Sequence, residues 1–410
     1  MIAPRDSVGQ RSETVRRSNL SAIVRELHLR GPLSRSDLVA HTGLTRSAIR
    51  GLIGELVGGG LVTETRSAPA GTPGRPSPIV HPEPRAAVVL ALEVTVDSLA
   101  AACVGFGGAI HALVRVDRPR AHVTLEEIVA DLVELAEPIL AGTPHDELVG
   151  IGVAVAGIVR RTDGIVRQAP NLGWQDEPLG ERLAAAFPQV PIAVANEADL
   201  GGLAEHRRGA AVDADDVIYL MGEVGVGGNV IVGGQALVGA AGYAGEIGHM
   251  IVNPDGALCG CGSFGCWETE IGEGAMLLRA GRSPSGGREA VDELIAAAEA
   301  GERRALESIG HVARWLGVGL ATLINLLNPT LVVLGGVLAR IHPLIAEDLD
   351  DVLDRRALRA SREMVQVKPG ALGTDGPLLG AAELAFEPML ADPAARLAAV
   401  DRNPPVLASA

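Results

Sequence analysis

Residues 242–268 read GYAGEIGHMIVNPDGALCGCGSFGCWE. Within this stretch His249, Cys259, Cys261 and Cys266 set one imidazole and three thiols close together in a glycine-rich loop. That donor set closes a tetrahedral zinc site with no coordination position left open, so the metal it implies is structural. Two carboxylates flank the ligands. Glu246 precedes His249 by three residues, and Glu268 follows Cys266 by two. A metal that fixes the loop therefore also fixes the backbone presenting both acids. With Asn196 and Glu197 they supply the acceptors and the amide that a polyol needs, because each sugar hydroxyl both donates and accepts.

The chain around this loop is an α/β protein. Residues 86–92 (AAVVLAL) read as a buried strand, followed by a hairpin through 98–104 and 109–116. A helix at 124–141 leads to the strand LVGIGVAVAGIV at 148–159, and the strand PIAVAN at 191–196 opens a helix over 197–207. Strands resume at 216–234. A long helical region follows at 286–327, then TLVVLGG at 330–336 and a helix at 341–355. Strands and helices alternate twice over, which predicts two lobes. The Ala- and Pro-rich tail 391–410 is expected to be disordered.

The first 85 residues have another texture. They hold twelve Arg, no Lys and seven acidic residues, whereas the whole 410-residue chain has 35 Lys+Arg against 50 Asp+Glu and a net charge of −15. A basic head on an acidic body confines any DNA contact to the head. Leu20, Ile23, Val24 and Leu27 form one helical face over 18–30. Ser34 and Asp37 form a capping box for a short second helix that ends at Gly43, and Thr45 caps a third, TRSAIRGLIGELV. Helix, short helix, turn and helix make a helix-turn-helix, with Arg46, Ser47 and Arg50 on the outer face of the reading helix. Arg46 and Arg50 suit guanine edges or phosphates. LVTET and a returning strand bracket a Pro/Gly-rich wing, whose Gly74-Arg75-Pro76 projects a guanidinium fit for a narrow minor groove.

With 47% hydrophobic, 21% charged and 2% aromatic residues, the chain is globular, with aliphatic cores. Four cysteines, three of them clustered, argue against a disulfide-stapled secreted domain. No apolar run of membrane-spanning length and no signal core is apparent, so the expectation is a cytoplasmic protein with no membrane partner.

The loop at 242–268 resembles the signature of the ROK family (repressors, open reading frames and kinases). The likeness extends to Pro170-Asn171 with LGWQ, to VANEADLGGLAE and to NLLNPTLVVLGG. The head ending in Gly-Arg-Pro is similar to that of the family's sugar-responsive transcription factors. The resemblance implies a multidomain chain: a winged helix-turn-helix at 1–85, then a two-lobed actin-like, ribonuclease-H-type ATPase fold at 86–200 and 201–390, with the zinc site in the second lobe. It also implies that Asn171, Asn196, Glu197, Glu246, His249 and Glu268 line a sugar pocket between the lobes.

Active kinases of the family carry Asp-x-Gly-Gly-Thr around the ATP phosphates, since backbone N–H groups must approach the anion closely. The matching stretch here is Glu93-Val94-Thr95-Val96-Asp97, which has no glycine. Glu197 stands at the position of the catalytic Asp, moving the carboxylate by one methylene, and Val224 stands where the second phosphate segment usually has Thr. Gly225, Gly227, Gly228 and Gly335-Gly336 survive. The expectation is a transcriptional repressor that works on a double-stranded DNA operator as a homodimer or tetramer, and whose degenerate kinase-like domain binds a sugar effector without phosphorylating it. The alternatives are a sugar kinase with a DNA-binding head and a zinc-stabilised assembly protein that takes no ligand.

Overall fold

The computed structural model describes residues 12–65, 77–120, 123–144 and 147–402. In the head, α1 (Ser12–Arg30) buries Leu20, Ile23, Val24 and Leu27, the face its periodicity predicts, and begins six residues before the predicted 18–30. After β1 (Leu33–Ser34), the capping box forms at the start of α2 (Arg35–Thr42). The Asp37 amide donates to Ser34 Oγ at 3.1 Å, and the Ser34 amide donates to the Asp37 carboxylate at 3.0 Å. Gly43, at φ 69°, ends α2. Thr45 caps α3 (Arg46–Gly58), which buries Ile49, Leu52, Ile53 and Leu56. β2 (Val62–Thr65) pairs antiparallel with β3 (Ile79–Pro82), and β1 adds to the other side of β3, giving the base of a wing.

The first lobe opens with the antiparallel strands β4 (Val88–Val94), β5 (Ser98–Gly105) and β6 (Ile110–Asp117). Helix α4 (Leu125–Leu140) crosses to β7 (Leu148–Val155), parallel to β4. A small sheet of β8 (Ile158–Arg160), β9 (Ile165–Ala169) and β10 (Trp174–Glu177) follows. Then α5 (Leu179–Ala186) leads to β11 (Ile192–Asn196), parallel to β7. The main sheet runs β11-β7-β4-β5-β6. Every residue of β4 is buried, as expected of a strand covered on both faces.

Helix α6 (Glu197–Arg208) leads into the second lobe. There β12 (Val217–Gly222), β13 (Val226–Val232) and β14 (Gln235–Ala236) again form an antiparallel set. The metal-ligand loop and α7 (Glu268–Ile271), α8 (Glu273–Arg279), α9 (Gly287–Glu299) and α10 (Arg303–Leu327) intervene. β15 (Leu331–Gly335), α11 (Gly336–Arg356), α12 (Arg359–Arg362) and β16 (Gln366–Pro369) complete a sheet ordered β14-β13-β12-β15-β16. In each lobe, three antiparallel strands are thus extended by two parallel ones in the same connectivity. This is the duplicated, actin-like plan.

Several expectations need correction. The predicted strand 148–159 breaks after Val155, because Gly157 turns the chain at φ 118°. The helical region 286–327 is two helices, parted at Gly301 (φ 84°), and the helix expected at 341–355 starts at Gly336 with Pro343 inside it. The tail is not disordered throughout: α14 (Pro393–Arg402) is helical, and Ala394 and Leu397 are buried. Its Ala- and Pro-rich composition gave no sign that it packs near Gly59 of the head, where Leu397 fills the space a side chain would need. Helix α13 (Gly376–Ala391), although late in the chain, lies on the first lobe's sheet and on α6. Helix α10 is long and apolar enough to cross a membrane, but its apolar face is buried in the second lobe's core.

Candidate ligand cleft, metal centre and reading helix

Between the lobes lies a cleft of about 170 Å³, and Asn171, Asn196, Glu197, Glu246, His249 and Glu268 all line it. All six predicted pocket residues are therefore brought to one place. Asn196 ends β11 and caps α6: its Oδ1 accepts from the Ala198 and Asp199 amides at 2.7 and 3.2 Å, and its Nδ2 donates to the Gly157 carbonyl at 2.8 Å. Most of its hydrogen-bonding capacity thus holds the cleft wall, which leaves one amide hydrogen for a ligand. Glu197 is the next residue. Burial, then the charges of Glu93, Glu223 and Asp97, push its carboxyl well above the ordinary range. Glu246 is raised to about 7 by burial and by Asp199 and Glu268.

Glu268 links the cleft to the thiols. One oxygen accepts the Val226 amide at 3.0 Å, and the other lies 3.5 Å from Cys259 Sγ. The donor atoms of His249, Cys259, Cys261 and Cys266 all lie within 4.8 Å of one another. Cys261 and Cys266 Sγ are 3.6 Å apart, and His249 Nδ1 is 3.7 Å from Cys259 Sγ. Tetrahedral zinc with bonds of about 2.3 Å spaces its sulfurs by roughly 3.8 Å, so the donor set fits that ion. The loop closes through pairings of Ile251 with Cys266 and of Leu258 with Phe264. Gly265 (φ 69°) is required there, since a Cβ would stand 1.6 Å from the Asn253 carbonyl. With Nδ1 facing the sulfurs, His249 keeps Nε2 for the cleft it also lines.

The other end of the cleft is filled differently. In the β4–β5 turn the Ser98 amide donates to Thr95 Oγ1 (3.0 Å) and the Thr95 amide to the Ser98 carbonyl (3.0 Å). Glu93 is buried against Arg115, which also reaches Asp375, at the N-terminus of α13, at 3.2 Å. Arg120 pairs with Glu273 of the second lobe at 2.6 Å and with Asp97 at 3.2 Å. Neither these arginines nor Glu223, a cleft carboxyl raised to about 7 mainly by burial, was picked out from sequence. The partners lie far apart along the chain, so spacing carries no signal of them. The surviving glycines of the β12–β13 hairpin serve close packing. Cβ atoms there would meet Glu268 at 2.7 Å (from Gly225), Ala198 at 2.6 Å (from Gly227) and Ile247 at 2.2 Å (from Gly228).

The ROK family profile matches residues 89–387. The chain belongs to the ROK family. It is 27% identical over 380 residues to the xylose repressor of Bacillus spizizenii, covering 92% of this chain and 97% of that protein. It is 31% identical over 318 residues to the glucokinase of Streptomyces coelicolor, covering 73% of this chain and 98% of the enzyme. The crystal structure of a ROK family transcriptional regulator, a homologue of the Escherichia coli Mlc protein, superposes with a TM-score of 0.76 at 24% identity, covering 93% of this chain and 99% of that one. That likeness fixes the fold: a helical head on an actin-like, two-lobed α/β body.

On the head, Arg46, Ser47 and Arg50 are all exposed at the N-terminal end of α3. Among the described residues no carboxylate pairs with either arginine, whereas Arg35 is held by Glu64 through two contacts of 2.5 and 2.6 Å. Arg75 lies outside the described residues.

Proposed function

We propose that this ROK protein is a sugar-responsive transcriptional repressor whose kinase-like body binds a monosaccharide without phosphorylating it. The observation that carries the reading is the pairing, in one chain, of an outward-facing helix whose two arginines meet no carboxylate among the described residues with a cleft lined by acids and amides. Arg46, Ser47 and Arg50 read an operator in the major groove, and Arg75 on the wing enters the minor groove. Asn171, Asn196, Glu197, Glu246, His249 and Glu268 hold the sugar. Structural zinc on His249, Cys259, Cys261 and Cys266 keeps Glu246 and Glu268 in place. The protein works in the cytoplasm as a homodimer or a pair of dimers, with two reading helices on a pseudo-palindromic site.

The filled far end of the cleft supports the absence of phosphoryl transfer. A triphosphate entering there gains Arg115 or Arg120 only by displacing the carboxylates of Glu93, Asp97 and Glu273 that already hold them. The likeness to a glucokinase favours one rival, a sugar kinase carrying a DNA-binding head. A thermal-shift panel of hexoses, pentoses and amino sugars, run beside a coupled ATP-consumption assay, separates the two. The expected result is a raised melting temperature with one sugar class and no ATP turnover, since a ligand that binds only the folded state stabilises it by mass action. Brisk turnover with any sugar in the panel refutes the reading. Light scattering checks the oligomer, and elemental analysis of protein purified without chelator checks the zinc.

A further inference from the structure

The head does not hang on a free tether. His28, near the end of α1, is fully buried, stacked on Phe106 at 5.6 Å between ring centres and tilted against Phe386 of α13 at 4.7 Å. The Gly107 amide donates to its Nδ1 at 3.1 Å, and its Nε2 lies 3.3 Å from Glu383 of α13 and 2.9 Å from Arg208 Nη2. Glu383 is also paired with Arg207 and Arg208 at the end of α6, and Arg208 donates to the His28 carbonyl at 3.2 Å. Around the rim, Glu387 joins Arg25 of α1, at 3.0 Å, to Arg207.

The same two helices begin at the cleft. Asn196 and Glu197 open α6, and Thr374 and Pro377 at the start of α13 line the cavity. At about 1.5 Å per residue, α6 spans roughly 18 Å between its two ends. The helices have no slack between them, for a Cβ on Gly380 would stand 1.9 Å from the Leu200 carbonyl. A buried charge cluster resists partial loosening, because a half-broken one leaves a desolvated charge without a partner. Such a cluster is either made or broken, which is the property of a two-state element.

We propose that α6 and α13 form a lever that carries the state of the sugar cleft to the reading head through the buried His28–Glu383–Arg208 latch. This rests on the sugar-repressor reading above. It assigns the coupling to the latch rather than to the short connection between β3 and β4.

The test uses the full chain and a fluorescent duplex selected by the wild-type protein from a random-sequence pool. D-xylose, D-glucose, D-mannose and N-acetylglucosamine serve as probes. Coupling between sites is typically 5–150-fold, so wild-type affinity for the duplex is expected to change roughly tenfold with the sugar that shifts its melting temperature. Glu383→Gln is expected to bind that sugar within about twofold of wild type and to cut the DNA response below about twofold. Should Glu383→Gln fail to fold, the rim variant Glu387→Gln is expected to fold and to lose at least half of the response. A folded variant that binds the sugar and keeps the full wild-type response overturns the lever. A wild-type chain that no sugar in the panel affects, in melting or in DNA affinity, overturns the reading on which the lever rests.

Discussion

The β4–β5 and β12–β13 turns occupy equivalent places in two sheets of one topology, and they face each other across the cleft. The first is filled: Thr95 ties the turn together, Glu93 is buried against Arg115, and Asp97 holds Arg120. The second stays lean. Its glycines let Glu268, Ala198 and Ile247 come within side-chain distance of bare backbone. Two equivalent hairpins thus have opposite chemistry, and the difference runs along the cleft. The end near the thiols keeps convergent acids and an amide for neutral hydroxyls. The end near the first turn is crossed by the ion pair of Arg120 with Glu273 of the second lobe. On the proposed reading, such a cleft suits a polyol better than a polyanion.

The largest effect expected from breaking this contrast is at the metal loop. Cys261→Ser removes one ligand, releases the ion and unmoors Glu246 and Glu268. The expected loss is several kcal/mol of stability in the second lobe, read as metal content by elemental analysis and as a lowered melting temperature. A variant that keeps its metal and its melting temperature removes the zinc from the account. Next comes Glu246→Ala. Losing a charged or strongly hydrogen-bonding acceptor costs about 1.5–3 kcal/mol of sugar binding, roughly a tenfold to hundredfold weaker affinity. The thermal shift with sugar should vanish while DNA affinity without sugar stays at the wild-type value. If the sugar still shifts the melting curve normally, the pocket is misassigned.

Gly228→Ala, in β13 beyond the lean turn, and Val96→Gly, in the filled turn, compare the two hairpins. A methyl on residue 228 meets Ile247 at 2.2 Å and the Tyr219 carbonyl at 2.9 Å, so about 1–3 kcal/mol of stability is lost to overpacking. Val96→Gly in the filled turn costs only about the 0.5–1 kcal/mol of backbone freedom, and it is expected to restore no ATP consumption, because Arg115 and Arg120 stay tied to Glu93, Asp97 and Glu273. Chemical denaturation measures both variants. Equal losses in the two hairpins would mean that the glycines of β13 are not retained for packing.

How much of this was legible beforehand depends on how local each feature is. The metal quartet and the capping box at Ser34 lie within short spans of chain, and spacing alone brings their atoms together. The reading face of α3 follows from its periodicity. Asn171 reached the pocket list by family resemblance, since nothing in the residues around it points to a ligand. Other features were hidden. The partners Arg120 and Glu273 lie in different lobes, and their pairing exists only once the lobes are placed. Helix α13 reads as part of the second lobe because it follows β16, yet its apolar face finds the first lobe's sheet. ADPAARLAAV has the composition of a loose tail, and it is the head's surface that gives Leu397 somewhere to be buried.

Glu223 gives the smallest effect and the sharpest sign. It opens the lean turn just after β12, and burial raises its carboxyl to about 7, with Asp97, Glu273 and Glu93 adding to the shift and Arg288 opposing it. Below the ordinary glutamate range both folded and unfolded chains hold the proton, and the residue costs nothing. As pH rises from about 4.5 to 7 the unfolded chain ionises while the folded one stays protonated, so stability drains away across that window and levels off above it. Glu223→Gln removes the group that titrates. It should leave stability unchanged near pH 4 and raise it at pH 8 by on the order of 1 kcal/mol, less than the full linkage value because glutamine also gives up the attraction of Arg288. Thermal melts of wild type and variant from pH 4 to 8 show whether the two curves part on the alkaline side. Curves that part on the acid side would mean that Glu223 is ionised and paired in the fold. The lean turn would then carry a charge ready for a cation, and the contrast between the two ends of the cleft would have to be drawn the other way.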